Sequence, residues 1–189
     1  MKEEEIAFSN LFGAFSLILS KEIDESLLIK LQPLQESLKS LGVDFEGLNL
    51  RELRAEYTEI FIINVPPYES VFLGENNRFM DFPAFEVLGH YKEYGYHPNT
   101  SGLAVMYPDH IGLEFGFISL LFERLARGEY SKKLVSDIEE FLTYHILRWL
   151  PILYATLKLN FNYSIYTKIL EGSMEVSVEA LNYIRGIKL

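Results

Sequence analysis

Asp109, His110 and Glu114 are the closest acid–imidazole grouping in this sequence, and two kinds of chemistry suit them. A helix beginning there sets His110 and Glu114 on one face, four residues apart, where two or three ligands to a first-row metal can meet. A helix start also gives Asp109 a structural task. An Asp at that place accepts from free backbone amides and complements the positive helix end, worth ~1 kcal/mol. The other histidines, His90, His97 and His145, fall into no HExxH or comparable ligand spacing. His145 lies on an apolar stripe one turn before Trp149 and reads as a hydrogen-bonded core residue. Tyr68, Glu69 and Ser70 form the second grouping, directly behind Pro66 and Pro67. An aromatic face, a carboxylate and a hydroxyl on a stiff turn suit reception of an arginine-bearing, partly apolar peptide. The same turn suits a clip in which Tyr68, Val71, Phe72 and Leu73 fasten the loop to the core. The residues alone leave both readings open.

Other chemistries lack their residues. Ser70 has no GxSxG turn around it, and the chain has neither a GxxxxGK[ST] nor a GxGxxG phosphate loop. There is no cysteine, which removes disulfides, thiolate catalysis and Cys-based metal sites. Glu139 and Glu140 fall where a solvated helix face is expected, and the Glu3–Glu5 run reads as a solvated terminus.

The elements that must position these residues are helical. Ile6, Leu11, Phe12, Phe15, Ile18 and Leu19 make one stripe, and Leu27, Leu31, Leu34, Leu38 and Leu41 make another, divided or kinked by Pro33 and stopped by Gly42. Asn49 and Glu52 fit a capping box for a helix carrying Leu50, Leu53, Tyr57, Ile60 and Phe61, which Pro66 ends. A shorter helix spans about 81–94, with Gly95 as its stop. The segment after Pro108 is bare of charge from Phe115 to Phe122 and should sit at the centre of the domain. Its Gly112 and Gly116 allow a neighbouring helix close. Ser131 caps a long helix through Trp149 that Pro151 should kink or end. Two last helices, about 163–171 and 174–187, are expected on either side of Gly172 and Ser173. No strand pair, repeat or interdomain linker is legible, so the fold class is all-α, a single-domain helical bundle over residues 1–189.

Composition narrows the partners. With 189 residues and 49% hydrophobic content, the chain suits one domain with a real core. Its net charge of −10 disfavours nucleic acid and suits a basic partner. The acidic N-terminus lacks the basic start of a secretory signal, and no apolar run reaches the ~20 residues of a membrane span. A soluble, cytoplasmic protein without membrane insertion is expected.

Three segments then fall into a familiar order. "EYTEIFIINVPPYESVFL", "YPDHIGLEFGFISLLFERLA" and "FLTYHILRWLPILYATL" resemble the TorD/DmsD/NarJ family of redox-enzyme maturation chaperones. They match its Tyr…Phe helix with a Pro-Pro-Tyr-Glu-Ser-Val loop, its Asp-His pair opening a helix with a following Glu, and its His-Leu-x-x-Trp-x-Pro segment (here His145, Ile146, Trp149 and Pro151). Many members show Glu-Pro-x-Asp-His, whereas this chain reads Met106-Tyr107-Pro108-Asp109-His110. The resemblance implies an all-α, TorD-like, non-enzymatic cytoplasmic chaperone without a cofactor. Its partner would be the twin-arginine signal peptide or apo-subunit of a molybdopterin oxidoreductase, held back from export until its cofactor is installed. The peptide-binding residues implied are Pro66, Pro67, Tyr68, Glu69, Ser70, Asp109, His110 and Glu114. An apolar stretch of the peptide would lie against aromatic surface between the Pro-Pro loop and the Asp109 helix, with arginines on Glu69, Asp109 or the acidic field at large. A monomer or a helix-exchanged homodimer fits. The alternatives are a metal-assisted hydrolase using Asp109, His110 and Glu114, and a structural helical interaction domain.

Overall fold

The computed structural model describes residues 2–188. Its first helix, α1 (Lys2–Ser20), buries Phe12, Phe15, Ile18 and Leu19, the stripe expected from their spacing. The second stripe is divided at Pro33: α2 (Glu25–Leu31) runs through a 3-10 turn (Gln32–Leu34) into α3 (Gln35–Ser40). Asp24 caps α2 by accepting from the Leu27 amide at 2.7 Å, and Gly42 leaves α3 with φ +77°. The next helix, α4 (Leu50–Tyr57), starts at Asn49, whose side chain accepts from the Arg51 amide at 2.9 Å. It continues as a π-helical stretch, Thr58–Asn64, which closes with the Val65 amide on the Ile60 carbonyl. The Pro-Pro loop follows and leads into the short α5 (Glu69–Leu73). Then come α6 (Phe82–Glu93), capped by Asp81, and the central α7 (Ile111–Ala126).

Helix α7 packs along α1 as the most extensive helix pair of the described residues. Glycine permits this closeness. A Cβ on Gly112 would collide with Ser20 Oγ and approach the Ser16 carbonyl to 3.1 Å. Across the pair, Ser9 and Ser119 exchange side-chain-to-carbonyl bonds of 3.0 and 2.8 Å.

The C-terminal third departs from the expected pattern in two places. The long helix through Trp149 is interrupted before Pro151: α8 (Lys132–Phe141) passes into a π-helical turn at Leu142–Ile146, and α9 begins afterwards (Leu150–Asn160). The wider turn, closed by the Leu147 amide on the Leu142 carbonyl at 2.8 Å, faces both Leu142 and His145 inward. At the other place, no break exists at Gly172 and Ser173. One helix, α10, spans Ile165–Gly186. Gly172 serves packing, since a Cβ there would lie 3.0 Å from that of Leu41, and Ser173 bonds back to the Leu170 carbonyl at 2.9 Å.

A continuous apolar core joins α1, α4, α7, α8, α9 and α10. It contains Trp149, Tyr57 and Tyr166, fully enclosed, with the hydroxyls of Tyr57 and Tyr166 on the carbonyls of Leu19 and Leu53. The expectation of a wholly solvated acidic terminus fails at Glu5. That residue is buried in α1, and its Oε1 accepts from Tyr130 and Tyr183. The fold is all-α. Among the described residues, no helix is long and apolar enough to cross a membrane.

Candidate functional site

Two loops meet where the sequence groupings lie. The Glu69 amide donates to the Asp109 carbonyl at 2.9 Å, and the Ile111 amide donates to the Pro67 carbonyl at 3.0 Å. These bonds make an isolated antiparallel bridge between Tyr68 and His110. Prolines suit this edge because Pro67 needs to supply only a carbonyl. The pairing fixes the start of α5 and the start of α7 to one another.

Asp109 does not cap its own helix. That place belongs to His110, whose Nδ1 accepts from the Gly112 amide at 3.0 Å. Asp109 turns instead to α5, where Oδ2 accepts from the Ser70 amide at 2.8 Å. The reason is chain direction. The bridge aims the first amides of α5 at Asp109, while His110 stands one residue nearer to the free amides of α7.

Behind the bridge, the carboxylates point into the protein. Glu69 is 1% exposed, and Asp109 and Glu114 are fully enclosed, as is Ser70. The expectation that Glu69 and Asp109 face a shared peptide groove and meet its arginines there is at odds with this enclosure, since both carboxylates are turned into the protein. Glu69 Oε2 lies 2.9 Å from His145 Nδ1, and Glu114 Oε2 accepts from Trp149 Nε1 at 3.2 Å. Burial pushes the Glu114 carboxyl well above the usual range, and the nearby acids Glu69 and Asp109 add to it. Its Oε1 accepts no hydrogen bond, and the adjoining Glu69 carboxyl favours its protonated form. Burial also raises Glu69, with His145 and the more distant Arg148 acting against it. Asp109 is raised by burial too, opposed by hydrogen bonding from Ser70. Three acids packed together away from water resist being ionised all at once, because each further charge is buried beside the others. The network thus ties together all three sequence segments: the Pro-Pro loop through Glu69, the α7 start through Asp109 and Glu114, and the His145–Trp149 segment.

This geometry weakens the hydrolase reading. Among the described residues, no group of three or more His, Asp or Glu side chains is arranged to hold a metal ion. His110 and Glu114 share a helix, yet His110 Nδ1 is engaged by the backbone and Glu114 faces Trp149 and Glu69.

The other side of the bridge is different. A cavity of about 320 Å³ lies between the π-helical stretch, the Pro-Pro loop and the 104–110 segment. Pro66, Pro67, Tyr68 and His110 line it, together with Tyr57, Phe61, Ile62, Phe79, Ala104, Met106 and Tyr107. Four sequence-derived site residues therefore face this cavity, while Glu69, Ser70, Asp109 and Glu114 lie behind its wall. Tyr68 forms much of that wall. Its ring meets the rings of His110 at 4.9 Å, Phe79 at 5.1 Å and Tyr107 at 5.7 Å, all edge-on, and its hydroxyl accepts from the Met106 amide at 3.1 Å. The rim is apolar and open: Met106 is 78% exposed, Ile62 52% and Phe79 45%. Sequence reasoning missed these rim residues. Two of them, Phe79 and Met106, are apolar side chains in connecting segments, where packing does not demand them, whereas Ile62 lies on the outer side of the π-helical stretch.

Comparison with protein families gives the decisive observation: residues 21–155 match the model described as nitrate reductase delta subunit. The chain belongs to that family. The match covers the Pro-Pro loop, the Asp-His pair and the His145–Trp149 segment, all three parts of the buried network. The family is the NarJ/TorD type of molybdoenzyme chaperone, a chaperone family rather than a catalytic one. No curated protein matches the chain.

Proposed function

We propose that this protein is a cytoplasmic, system-specific chaperone that binds an N-terminal segment of a molybdopterin oxidoreductase subunit, either its twin-arginine signal peptide or the corresponding part of the apo-subunit. It delays export and supports cofactor insertion. The observation that carries the reading is the open apolar cavity beside the Pro-Pro loop in a chain of this family. An exposed apolar rim around a preformed concavity is the usual form of a peptide-docking groove. Within it, Pro66, Pro67, Tyr68 and His110 contact the client, and Glu69, Ser70, Asp109 and Glu114 support them from behind. The net charge of −10 adds long-range attraction for a basic segment and a salt-dependent association rate.

The reading is tested by calorimetric titration with a peptide covering the client's twin-arginine leader and with the apo-subunit. Saturable binding to one of them is expected, weakening as salt rises. Absence of saturable binding to both would remove the reading.

A further inference from the structure

The connection between α5 and α6 is held under strain. Among the described residues, Asn77 (φ +52°) and Met80 (φ +59°) are the non-glycine residues with positive φ, and both lie in this connection. Asparagine tolerates that region, whereas a methionine there presses its Cβ against the following carbonyl. Little hydrogen bonding offsets the cost. From Glu75 to Met80 the backbone makes one bond among the described residues, a long one of 3.4 Å from the Asn77 amide to the Gly74 carbonyl. The feet of the segment touch. A Cβ on Gly74 would stand 2.8 Å from Asp81 Oδ2 and 2.9 Å from Asp81 Cβ, besides striking the Ser70 carbonyl. That Oδ2 is enclosed and has no hydrogen-bond partner. A short surface loop whose ends meet has the form of an Ω-loop. Phe79 fastens it. The ring lies 5.1 Å from that of Tyr68 and 5.5 Å from that of Tyr107, on the cavity wall, yet Phe79 is 45% exposed. Two aromatic contacts are of the same order as the backbone strain they offset, so the docked position is finely balanced.

We infer that residues 74–81 are a strap with two positions, which closes over a segment seated in the cavity and governs how fast that segment leaves. The inference rests on the peptide-binding reading and adds a gate to it. The docked position is the one described above. In the lifted position Met80 returns to negative φ, Asp81 Oδ2 meets water, and the Phe79 ring leaves Tyr68 and Tyr107, which widens the mouth of the cavity. A ligand beside Tyr68 gains contact with Phe79 only while the strap is docked. It therefore draws the strap down by its differential affinity for the two positions. Dissociation then waits on lifting, as release from a lidded site does.

The chain has no cysteine, so Arg78→Cys on the exposed part of the strap gives a single attachment point for a trifluoromethyl label. Fluorine NMR of the ligand-free, full-length protein should show two environments, and Phe79→Ala should leave the one that belongs to the lifted strap. Met80→Gly removes the strain and should raise the docked-to-lifted ratio about fivefold, while β-branched Met80→Val should lower it by a similar factor. Both changes shorten the same side chain, and Met80 does not line the cavity, so a plain contact role would move them in one direction. Gly74→Ala forces the foot away from Asp81 and should favour the lifted strap as Met80→Val does. N-acetyl-leucyl-leucine-N-methylamide at millimolar concentration should shift the parent toward the docked position. A fluorescent twin-arginine leader peptide, displaced by unlabelled peptide in stopped flow, should leave M80G slowest and M80V fastest. One fluorine environment in all of these proteins would overturn the inference, as would shifts in the same direction for M80G and M80V. So would a single dissociation rate across variants whose strap populations differ. The ligand-free spectra and the capped dipeptide need no client. A strap that passes both while no leader peptide binds sustains the closure and removes only the chaperone reading.

Discussion

The two faces of the Tyr68–His110 bridge carry opposite chemistry. The inner face holds Glu69, Asp109, Glu114, His145 and Trp149 in a closed network, and the outer face is an apolar cavity with an exposed rim. They share one backbone pairing about two residues wide. The difference teaches that Glu69 and its inner partners hold a wall in place, and that Tyr68 and the prolines form the cavity side of that wall. A wall made of a five-residue helix and a turn has little stability of its own. Anchoring it to α7 and to the His145 turn gives it rigidity without placing a carboxylate in the groove.

This contrast breaks most readily on the inner side. Glu69→Ala leaves His145 Nδ1 without its partner and Glu114 without its neighbour. Removing one member of a buried pair costs about 3–5 kcal/mol, so chemical denaturation should show a loss of that order. Asp109→Ala comes next. The buried Ser70 amide loses its acceptor, a loss of about 1–3 kcal/mol in the same experiment.

Glu114→Gln sharpens the comparison through pH. A carboxyl with a folded pKa above its unfolded value binds its proton more tightly when folded, so its contribution is complete below the ordinary carboxylate range and falls as pH rises through the folded value. Glu69 and Glu114 both have this sign. Stability should therefore be greatest below the ordinary carboxylate range and decline as pH rises above it. E114Q keeps an acceptor for Trp149 and should flatten this decline. His110 has the opposite sign. Its pKa falls from 6.5 to about 3 on folding, so its contribution is present above pH 6.5 and is lost as pH falls toward 3. The acid limb of the profile should flatten in H110N. The smallest stability effect belongs to the outer face. Met106→Ser at the open rim should stay within about 0.5 kcal/mol of the parent. Even so, it should weaken client-peptide binding about tenfold, because the lost apolar contact amounts to about 1.4 kcal/mol.

Most helices were legible from apolar spacing, and their limits from particular residues: Pro33 divided the second stripe, Gly42 and Gly95 ended helices with positive φ, Ser131 capped as expected, and Asn49 capped through the Arg51 amide without the reciprocal Glu52 bond of a capping box. The misses share a cause. Spacing reports which face of a helix is apolar and not which element will cover it. Gly172 looked like a break and proved to be where Leu41 packs; Asp109 looked like the cap of α7 and proved to belong to α5. The π-helical turn before Trp149 carries no proline or glycine to announce it. The site residues were found because their types were unusual for loops. Their orientation was not legible, because the bridge that turns Glu69 inward joins residues far apart in sequence, and neither strand of it has a pattern of its own. An acid in or beside a loop is exposed by default, and partners distant in sequence reverse that default: His145 for Glu69 and the Ser70 amide for Asp109.

The central claim is that recognition lies on the outer face and support on the inner. Its most direct test is paired titration of the client's leader peptide into M106S and E114Q at pH 7, with thermal unfolding measured on the same samples. The account predicts that M106S keeps its melting temperature and loses about tenfold in affinity, while E114Q changes its pH–stability profile and keeps its affinity. Full affinity in M106S together with lost affinity in a folded E114Q would contradict it.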